Sequence, residues 1–242
     1  MEASSISDII DFNWNEYLRL NPYLYIIGYR NKEECEINYL NEGRYLGRIY
    51  KESQKNKKSI NILISTIGKK SIFRTLNSLK NQLHKNDYLT IIFDGTNNNL
   101  ELVKLYAQEK FICNIDIIYE KERQGYWGHG IRNKYQDLKG DFIHHSDDDD
   151  EYLPNSINDI KNICIDNNVI YIFKIIRENG DIIWKNKEIK INQISTQSGI
   201  IPNHINKQGY WELKYGGDFD FYKNITKNNK VLYINKTIYK KY

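Results

Sequence analysis

The chain has 242 residues and a mass of 28.9 kDa, which allows one sizeable hydrophobic core and a small additional module. Its 35 basic and 31 acidic residues leave a net charge of +4, too balanced to indicate a nucleic-acid-binding protein. Three widely spaced cysteines, with no signal-peptide or membrane-spanning pattern, exclude a disulfide framework and a transmembrane protein, so we expect a cytoplasmic chain with reduced thiols.

The sequence of residues 1–55 predicts a small helical module. Apolar side chains in Phe12–Leu20 recur at helical spacing, and the pattern stops before a proline. A second helical pattern covers Lys32–Glu42, with Gly43 as its expected C-cap. The charged and polar stretch Lys51–Ser59 predicts a linker to the rest of the chain.

Residues 56–242 alternate apolar strands with amphipathic helices, which predicts βαβ units and a mostly parallel sheet. The first predicted strands are Ile60–Gly68, Tyr88–Phe93 and Ile115–Tyr119, with helices after the expected cap Ser71 and over Asn99–Lys110. Later elements are a helix after Pro154, a hairpin of Val169–Ile176 with Ile182–Trp184, a strand at Ser198–Pro202, a helix near Gly216 and a last strand at Val231–Tyr239.

Four consecutive aspartates, Asp147–Asp150, follow a short apolar strand. Adjacent carboxylates repel one another, so a folded chain holds them together only beside positive charge or freely screening water. A solvated acidic loop is the simplest interpretation of such a run. Its position directly after a strand, where an α/β sheet opens its ligand crevice, instead favours a functional loop.

The segment Gly140–Pro154 resembles the strand and metal-binding loop of family 2 glycosyltransferases of the GT-A fold. That pattern is Gly-x-Tyr-Ile, three mostly apolar residues, Asp-x-Asp-Asp, three residues and Pro, and the match has no gap. His144 and His145 replace apolar residues, and we expect one in the core and one near the site. The resemblance implies an α/β GT-A fold, a Rossmann-like sheet flanked by helices. Residues 1–55 likewise resemble a small helical module often found beside glycosyltransferase domains.

The resemblance implies a nucleotide-sugar site at the ends of the first strands. Thr66, Ile67 and Gly68 stand where the family's first strand ends against the nucleotide base. Asp94 matches the second aspartate of the family's Asp-Asp-Gly-Ser, which implies a hydrogen bond to the base or ribose. A turn residue that bonds to its own backbone is the alternative for Asp94.

The aspartates have separable roles in the family pattern. Asp147 and Asp148 would bind the nucleotide-sugar, and Asp149 and Asp150 would bind or assist the metal. Such oxygen ligands suit Mn²⁺ or Mg²⁺ rather than zinc. Arg132 belongs to an Arg-Asn pair and would bind the nucleotide or hold the aspartate loop, with a surface helix arginine as the alternative.

Gly217-Asp218-Phe219-Asp220 stands where the family places Glu-Asp, whose aspartate is the general base in inverting members. We expect Asp218 to be that catalytic base, with Asp220 as the second candidate and helix capping as the alternative. Tyr210 and Trp211 would form an apolar platform for the acceptor, although core packing suits either residue equally well.

The residues and the resemblance together predict a metal-dependent, inverting glycosyltransferase with a nucleotide-sugar donor, a UDP-sugar being favoured. The acceptor would be a glycan or protein hydroxyl, with no nucleic-acid partner and no membrane span, and homo-oligomerisation stays open. The main alternative is a catalytically inactive glycan-binding or scaffold protein, because Phe93 and Gly217 depart from the family pattern. A sugar-phosphate nucleotidyltransferase would need a longer Gly-rich basic loop than Gly68-Lys69-Lys70.

Overall fold

The computed structural model describes residues 12–43, 48, 50, 58–184 and 187–242. The chain divides into two compact units. One unit takes residues up to Lys58 together with Asn158–Ile165, and the other takes Ser59–Ile157 and Asp166–Tyr242. Residues 51–57 of the predicted linker and residues 44–47 of the predicted module lie outside the described residues. A domain boundary between residues 55 and 56 therefore stays a prediction.

The described part of the first unit contains the helices α1 (Trp14–Leu20), α2 (Pro22–Ile26) and α3 (Lys32–Asn38), and a π-helical turn over Tyr39–Gly43. The side chains of Asn13 and Asn31 accept hydrogen bonds from amides in the first turns of α1 and α3, at 3.1 and 2.9 Å. The helix predicted before Pro22 is confirmed. The buried core in the described part of this first unit consists of Tyr17, Leu18, Leu24, Cys35, Tyr39 and Leu40.

Gly43 closes the π-helical turn without the left-handed backbone expected of a C-cap glycine, so that prediction is wrong. The reason for glycine is instead a close approach, because a Cβ at this position would overlap the hydroxyl of Tyr17. The same hydroxyl donates a hydrogen bond of 2.7 Å to Asn38. Gly43 therefore leaves room for the Tyr17 hydroxyl, which bonds α1 to α3.

The second unit is an α/β structure. Its described strands are β1 Ile60–Thr66, β2 Tyr88–Asp94, β3 Asn114–Glu120, β4 Phe142–Ser146, β5 Glu151–Tyr152, β6 Val169–Arg177, β7 Ile182–Ile183, β8 Gly199–Pro202 and β9 Lys230–Lys241. The helices of this unit are α4 Ile72–Leu79, α5 Leu100–Lys110, α6 His129–Lys134, α8 Asn203–Asn206 and α9 Gly217–Thr226, while most of α7, Ser156–Ile163, falls in the Asn158–Ile165 stretch assigned to the first unit. The predicted strands, hairpin and helices are confirmed, whereas the two-residue strand β5 and the four-residue helix α8 were not predicted.

These described strands form one nine-stranded sheet in the order β3-β2-β1-β4-β8-β6-β9-β5, with β7 paired to β6. The first four strands in that order are parallel, and Thr66 pairs with Phe93 while Ile64 pairs with Ser146. The mostly apolar strands β1 and β2 are buried almost throughout, as expected of strands covered on both faces, whereas β3 at the edge of the sheet is mostly exposed or half-buried. The register brings the carboxyl ends of β1, β2 and β4 to one edge of the sheet.

The second half of the sheet is mixed, since β4 pairs antiparallel with β8 and β6 pairs parallel with β9. The short strand β5 joins Tyr152 to Tyr239 on β9. Because β5 directly follows the aspartates, this pairing ties the aspartate loop to the carboxyl end of β9. Lys241, the last residue of β9, therefore comes within 3.5 Å of Asp147.

Two local expectations are wrong. Ser71 has helical backbone angles, φ −57° and ψ −26°, and its side chain does not cap α4. His144 and His145 are both fully buried, rather than one being near the site, because β4 is covered on both faces. His144 Nε2 donates to the carbonyl of Gln197 at 2.9 Å, and His145 contacts Asn206 at 2.7 Å.

None of the described helices combines the length and apolarity needed to cross a bilayer.

Candidate active site

Asp147 begins the aspartate loop at the end of β4 and is surrounded by donors. Arg132 Nη2 donates to its Oδ1 at 2.8 Å, Gln197 Nε2 donates to its Oδ2, and Lys241 Nζ lies 3.5 Å from the same Oδ2. Burial alone would raise the pKa of Asp147, but Lys241 and Arg132 outweigh it and lower that pKa. Asp147 is therefore held as a carboxylate.

Arg132 is buried, with 1% of its side chain exposed, which excludes the surface-arginine alternative. Its Nη1 donates to the carbonyl of Trp127 at 2.8 Å, in addition to the Asp147 contact. The guanidinium lines neither of the clefts described below. Of the two roles expected for Arg132, the structure places it where it holds the aspartate loop and not where it would touch a nucleotide.

Asp148 and Asp149 face a cleft at the carboxyl edge of the sheet. Thr66 donates a hydrogen bond to Asp148, whose pKa is raised by burial and further by Asp149 and Asp147. Among the described residues, the Asp149 carboxylate has no hydrogen-bond partner. The pair therefore presents negative charge to the cleft without a matching cation in contact.

Asp150 points the other way, into the protein. It is 1% exposed, and its carboxylate accepts hydrogen bonds from Gln197 at 3.1 Å and from the amide of Tyr242 at 2.9 Å. Burial raises the pKa of Asp150 to about 7, against the lowering effect of the Tyr242 amide. Asp150 does not line the cleft, and its expected role as a metal ligand stays a prediction.

The first cleft has a volume of about 550 Å³ and lies where β1, β2 and β4 end. It is lined by Ser65, Thr66, Ile67, Lys69, Asp94, Arg123, Gly125, Tyr126, Trp127, Gly128, Asp147, Asp148, Asp149, Lys241 and Tyr242. Among the residues predicted for the nucleotide-sugar, Gly68 is absent from this lining. Gly68 has φ +73°, and a Cβ there would overlap the backbone of Asn98, so it shapes the turn instead.

Asp94 is not the turn residue bonded to its own backbone that the sequence offered as the alternative, and its contact with a base or ribose stays a prediction. It lies at the end of β2 and lines the first cleft. Its carboxylate accepts hydrogen bonds from the backbone amides of Gln124 at 2.5 Å and Gly125 at 2.8 Å. Asp94 therefore fixes the loop that leads to α6, and any ligand contact uses the remaining lone pairs of its oxygens.

A second cleft of about 280 Å³ opens beside the first, and Trp127, Asp147 and Lys241 line both. Asp218 lines this second cleft near the start of α9, and burial raises its pKa. Asp220 lines neither cleft and forms an ion pair of 2.8 Å with Lys214. The structure thus separates the two candidate bases and favours Asp218.

Trp211 is 1% exposed and stacks on Phe221 with ring centroids 4.1 Å apart, so it cannot be an acceptor platform. Tyr210 is exposed but lines neither cleft. Both were expected to bind the acceptor, and core packing is the correct interpretation for Trp211. The exposed aromatic side chains that line the second cleft are instead Trp127 and Tyr215.

A match to a protein-family model assigns the chain with these two clefts to a family. The family model described as "Glycosyl transferase family 2" matches residues 61–227, which is most of the second unit. The chain belongs to glycosyltransferase family 2. No curated protein matches it.

The fold of this family 2 chain is similar to solved glycosyltransferase structures. S. aureus TarS 1–349 in complex with UDP is 20% identical with a TM-score of 0.61, over 76% of this chain and 60% of that chain. The Pyrobaculum calidifontis mannosyltransferase PcManGT, in complex with GDP-Man and Mn²⁺, is 10% identical with a TM-score of 0.58, over 93% of this chain and 67% of that chain. GalNAc-T7 with UDP, GalNAc and Mn²⁺ is 15% identical with a TM-score of 0.52, over 76% of this chain and 43% of that chain. The GT-A fold is confirmed, and the chain spans about 60% of the TarS 1–349 length.

Two departures from the family 2 pattern have structural explanations. Phe93 replaces an aspartate and is fully buried in β2. Gly217 replaces a glutamate at the start of α9, where a Cβ would overlap the carbonyl of Glu212 and lie 2.7 Å from the ring of His129. Asp94 and Asp218, the carboxylates next to these two departures, line the first and second cleft respectively.

Several residues that line the clefts were missed by sequence reasoning. They are Lys69, Arg123, Tyr126, Trp127, Tyr215, Lys241 and Tyr242. The positive φ of Tyr126 and Trp127, both +53°, is invisible in the residue types. Gln197, which joins Asp147 to Asp150, arrives from a segment about 50 residues away and carries no local signal.

Proposed function

We propose that this family 2 member is a metal-dependent, inverting glycosyltransferase that moves a sugar from a nucleotide-sugar to a hydroxyl of a glycan or protein acceptor. The meeting of two clefts at Asp147 carries the proposal. One cleft presents Asp148 and Asp149, and the other presents Asp218. A donor in the first cleft and an acceptor in the second would bring the reacting atoms together near Asp147.

The nucleotide would lie in the first cleft, with its base and ribose against Thr66, Ile67 and Asp94. The position of these side chains at the carboxyl ends of β1 and β2 supports this placement. The diphosphate would lie beside Lys69 and Arg123, which line the same cleft. A UDP-sugar is the favoured donor because the TarS and GalNAc-T7 structures contain UDP, whereas PcManGT contains GDP-Man.

A divalent cation fits the donor set at Asp149. The carboxylate faces the cleft, and the neighbouring Asp148 adds negative charge. Among the described residues no three His, Cys, Asp or Glu side chains gather as a complete metal site. Mg²⁺ sites that use one or two carboxylates and substrate phosphates need no such group. Bound there, Mn²⁺ or Mg²⁺ would neutralise negative charge that develops on the leaving diphosphate.

Asp218 is the proposed general base. It would take the proton of the acceptor hydroxyl as that oxygen attacks the anomeric carbon opposite the leaving phosphate, which inverts the configuration. The raised pKa of Asp218 brings its proton affinity closer to neutral pH than that of an ordinary carboxylate. Asp220, bonded to Lys214, lacks this access.

A catalytically inactive, glycan-binding member of the family is the second candidate, and Gly217 is the observation that favours it. A member without the family's glutamate has lost one carboxylate next to its base.

We also propose that the N-terminal helices form an accessory module that contributes no residue to the chemistry.

Thermal denaturation with a panel of nucleotide-sugars, with and without Mn²⁺, tests the donor site. Ligands that bind the folded state raise the Tm. We expect one UDP-sugar to raise the Tm in the presence of Mn²⁺ and to lose this effect in Asp149→Ala. Asp220→Ala is the matched control and should respond like the wild type. No shift with any nucleotide or nucleotide-sugar would contradict the proposed function.

A further inference from the structure

Two aromatic side chains stand exposed at the mouth of the second cleft. Trp127 is 69% exposed and Tyr215 is 75% exposed. Their ring centroids lie 6.2 Å apart and their planes meet at 78°, so the rings form two walls of a corner. Both residues line the second cleft, and neither ring is needed to fill the core. Large exposed apolar side chains that gather at a cleft indicate a binding surface.

The backbone that presents Trp127 is strained and firmly held. Trp127 and Tyr126 both have φ +53°, a left-handed conformation that is unfavourable for non-glycine residues. Two buried charged groups fix this turn. The Asp94 carboxylate accepts hydrogen bonds from the amides of Gln124 and Gly125, and Arg132 donates to the carbonyl of Trp127. A strained turn that projects an exposed indole is a feature of a functional site more often than of packing.

The second cleft also offers polar groups beside the aromatic corner. Asp218, Asn192, Ser195 and Thr196 line it, together with the apolar side chains of Ile183, Ile191 and Ile194. Amide and hydroxyl groups both donate and accept hydrogen bonds, as sugar hydroxyls do. A pyranose ring has one face of C–H groups and an edge of hydroxyl groups. The aromatic corner matches the first part and the polar lining residues match the second.

We propose that Trp127 and Tyr215 form the acceptor subsite and that the acceptor group bound there is a sugar ring. The inference rests on the proposed function and narrows its acceptor from any hydroxyl to a carbohydrate. The C–H face of the sugar packs on the Trp127 and Tyr215 rings. One hydroxyl then points to Asp218, the proposed base, on the side of the cleft shared with the donor.

Saturation-transfer NMR with a panel of methyl pyranosides tests this subsite, in wild-type protein loaded with UDP and Mn²⁺. We expect at least one methyl pyranoside to bind with its axial C–H protons receiving the strongest saturation. Sorbitol has the hydroxyl groups but no ring face and should not bind. Trp127→Ala and Tyr215→Ala should each weaken binding about tenfold, while Trp127→Phe keeps most of it.

Two further variants serve as controls, one for backbone strain at residue 127 and one for the loss of an exposed tyrosine outside the clefts. Trp127→Gly removes the indole and accommodates the left-handed backbone, so its loss of glycoside binding cannot come from a strained turn. Tyr119→Ala removes an exposed tyrosine on β3 that lines neither cleft and should bind like the wild type. UDP affinity, measured by calorimetry in every variant, reports the donor cleft separately.

Three results would overturn the inference. Glycoside binding that survives both alanine substitutions would show that the rings do not form the subsite. Sorbitol binding equal to that of the glycosides would remove the argument for a ring face. UDP binding without binding of any methyl pyranoside would reject the sugar acceptor and leave the proposed donor site standing. Failure to bind UDP as well would contradict the proposed function itself.

Discussion

Arg132 donates a hydrogen bond of 2.8 Å from Nη2 to Oδ1 of Asp147, and its side chain is 1% exposed. The pair joins α6 to the loop after β4, so it fixes where the aspartates point. Loss of one partner leaves the other charge in a desolvated position, which is costlier than the pair itself.

Arg132→Ala should therefore lower the free energy of unfolding by about 3 kcal/mol, the lower end of the range for a broken buried pair, because Lys241 and Gln197 remain beside Asp147. Urea denaturation measures this change. Lys134→Ala, which removes a half-exposed partner of Glu120 from the same helix, is the control and should cost less than about 1 kcal/mol. Equal effects of the two variants would refute the role given to Arg132.

The buried histidines of β4 predict a pH dependence of stability. Burial lowers the pKa of His144 to about 4 and that of His145 to about 3, below the unfolded value of about 6.5. Their stability contribution is complete above pH 6.5 and is lost as the pH falls toward those folded values, because the unfolded state then binds more protons. The loss is at most roughly 3 kcal/mol for each histidine between pH 6.5 and 4.

His145→Phe should flatten that decline by about half, although Asn206 then loses its partner and the stability at pH 7 falls. Phenylalanine suits the position since His145 already packs against Trp211 and Phe221, with ring centroids 4.9 and 5.9 Å away. Unfolding free energies between pH 4 and 7 measure the slope. The exposed His84→Gln is the control, and an unchanged slope in His145→Phe would contradict the prediction.

The fold was largely predictable from the sequence, because buried parallel strands appear as continuous apolar runs. The buried strands β1, β2 and β6 follow this rule, whereas the edge strand β3 is mostly exposed or half-buried. The strand β5 escaped prediction because two residues have no periodicity, and its existence depends on pairing with β9. Gly43 and Ser71 were assigned by residue preference, and tertiary contacts decided otherwise.

The site was predictable where its residues lie at strand ends. Thr66, Asp94 and Asp147 fit this description and all line the first cleft. The inward orientation of Asp150 was not predictable, because local sequence cannot show which of four adjacent carboxylates turns inward. The burial of Trp211 was not predictable either, since an aromatic residue beside a motif has the same local pattern whether it is buried or exposed.

Gly217→Ala tests why the family's glutamate is absent. A Cβ at this position overlaps the carbonyl of Glu212 and lies 2.7 Å from the ring of His129, so we expect a loss of about 1–3 kcal/mol from overpacking. Thermal denaturation measures it. Combining Gly217→Ala with His129→Ala relieves one of the two overlaps and should recover part of the loss. A neutral Gly217→Ala would show that residue 217 is free to vary.

Asp218→Asn should lower kcat by about 10²- to 10⁴-fold if Asp218 is the general base. The affinity for the nucleotide-sugar should stay unchanged because Asp218 lines the second cleft and not the first. Asp220→Asn is the matched control. Asp220 lies two residues after Asp218 in α9 and forms an ion pair with Lys214, so this variant should retain a near-wild-type kcat. A larger loss in Asp220→Asn than in Asp218→Asn would transfer the role of base to Asp220.

Release of nucleotide diphosphate from a UDP-sugar tests the central claim most directly. The wild type should release UDP in the presence of Mn²⁺, stop when EDTA is added and resume when Mn²⁺ is restored. Asp149→Ala should release none above background while keeping the wild-type Tm. UDP release that is equal in wild type and Asp149→Ala, or that EDTA leaves unchanged, would contradict a metal-dependent transferase at this aspartate loop.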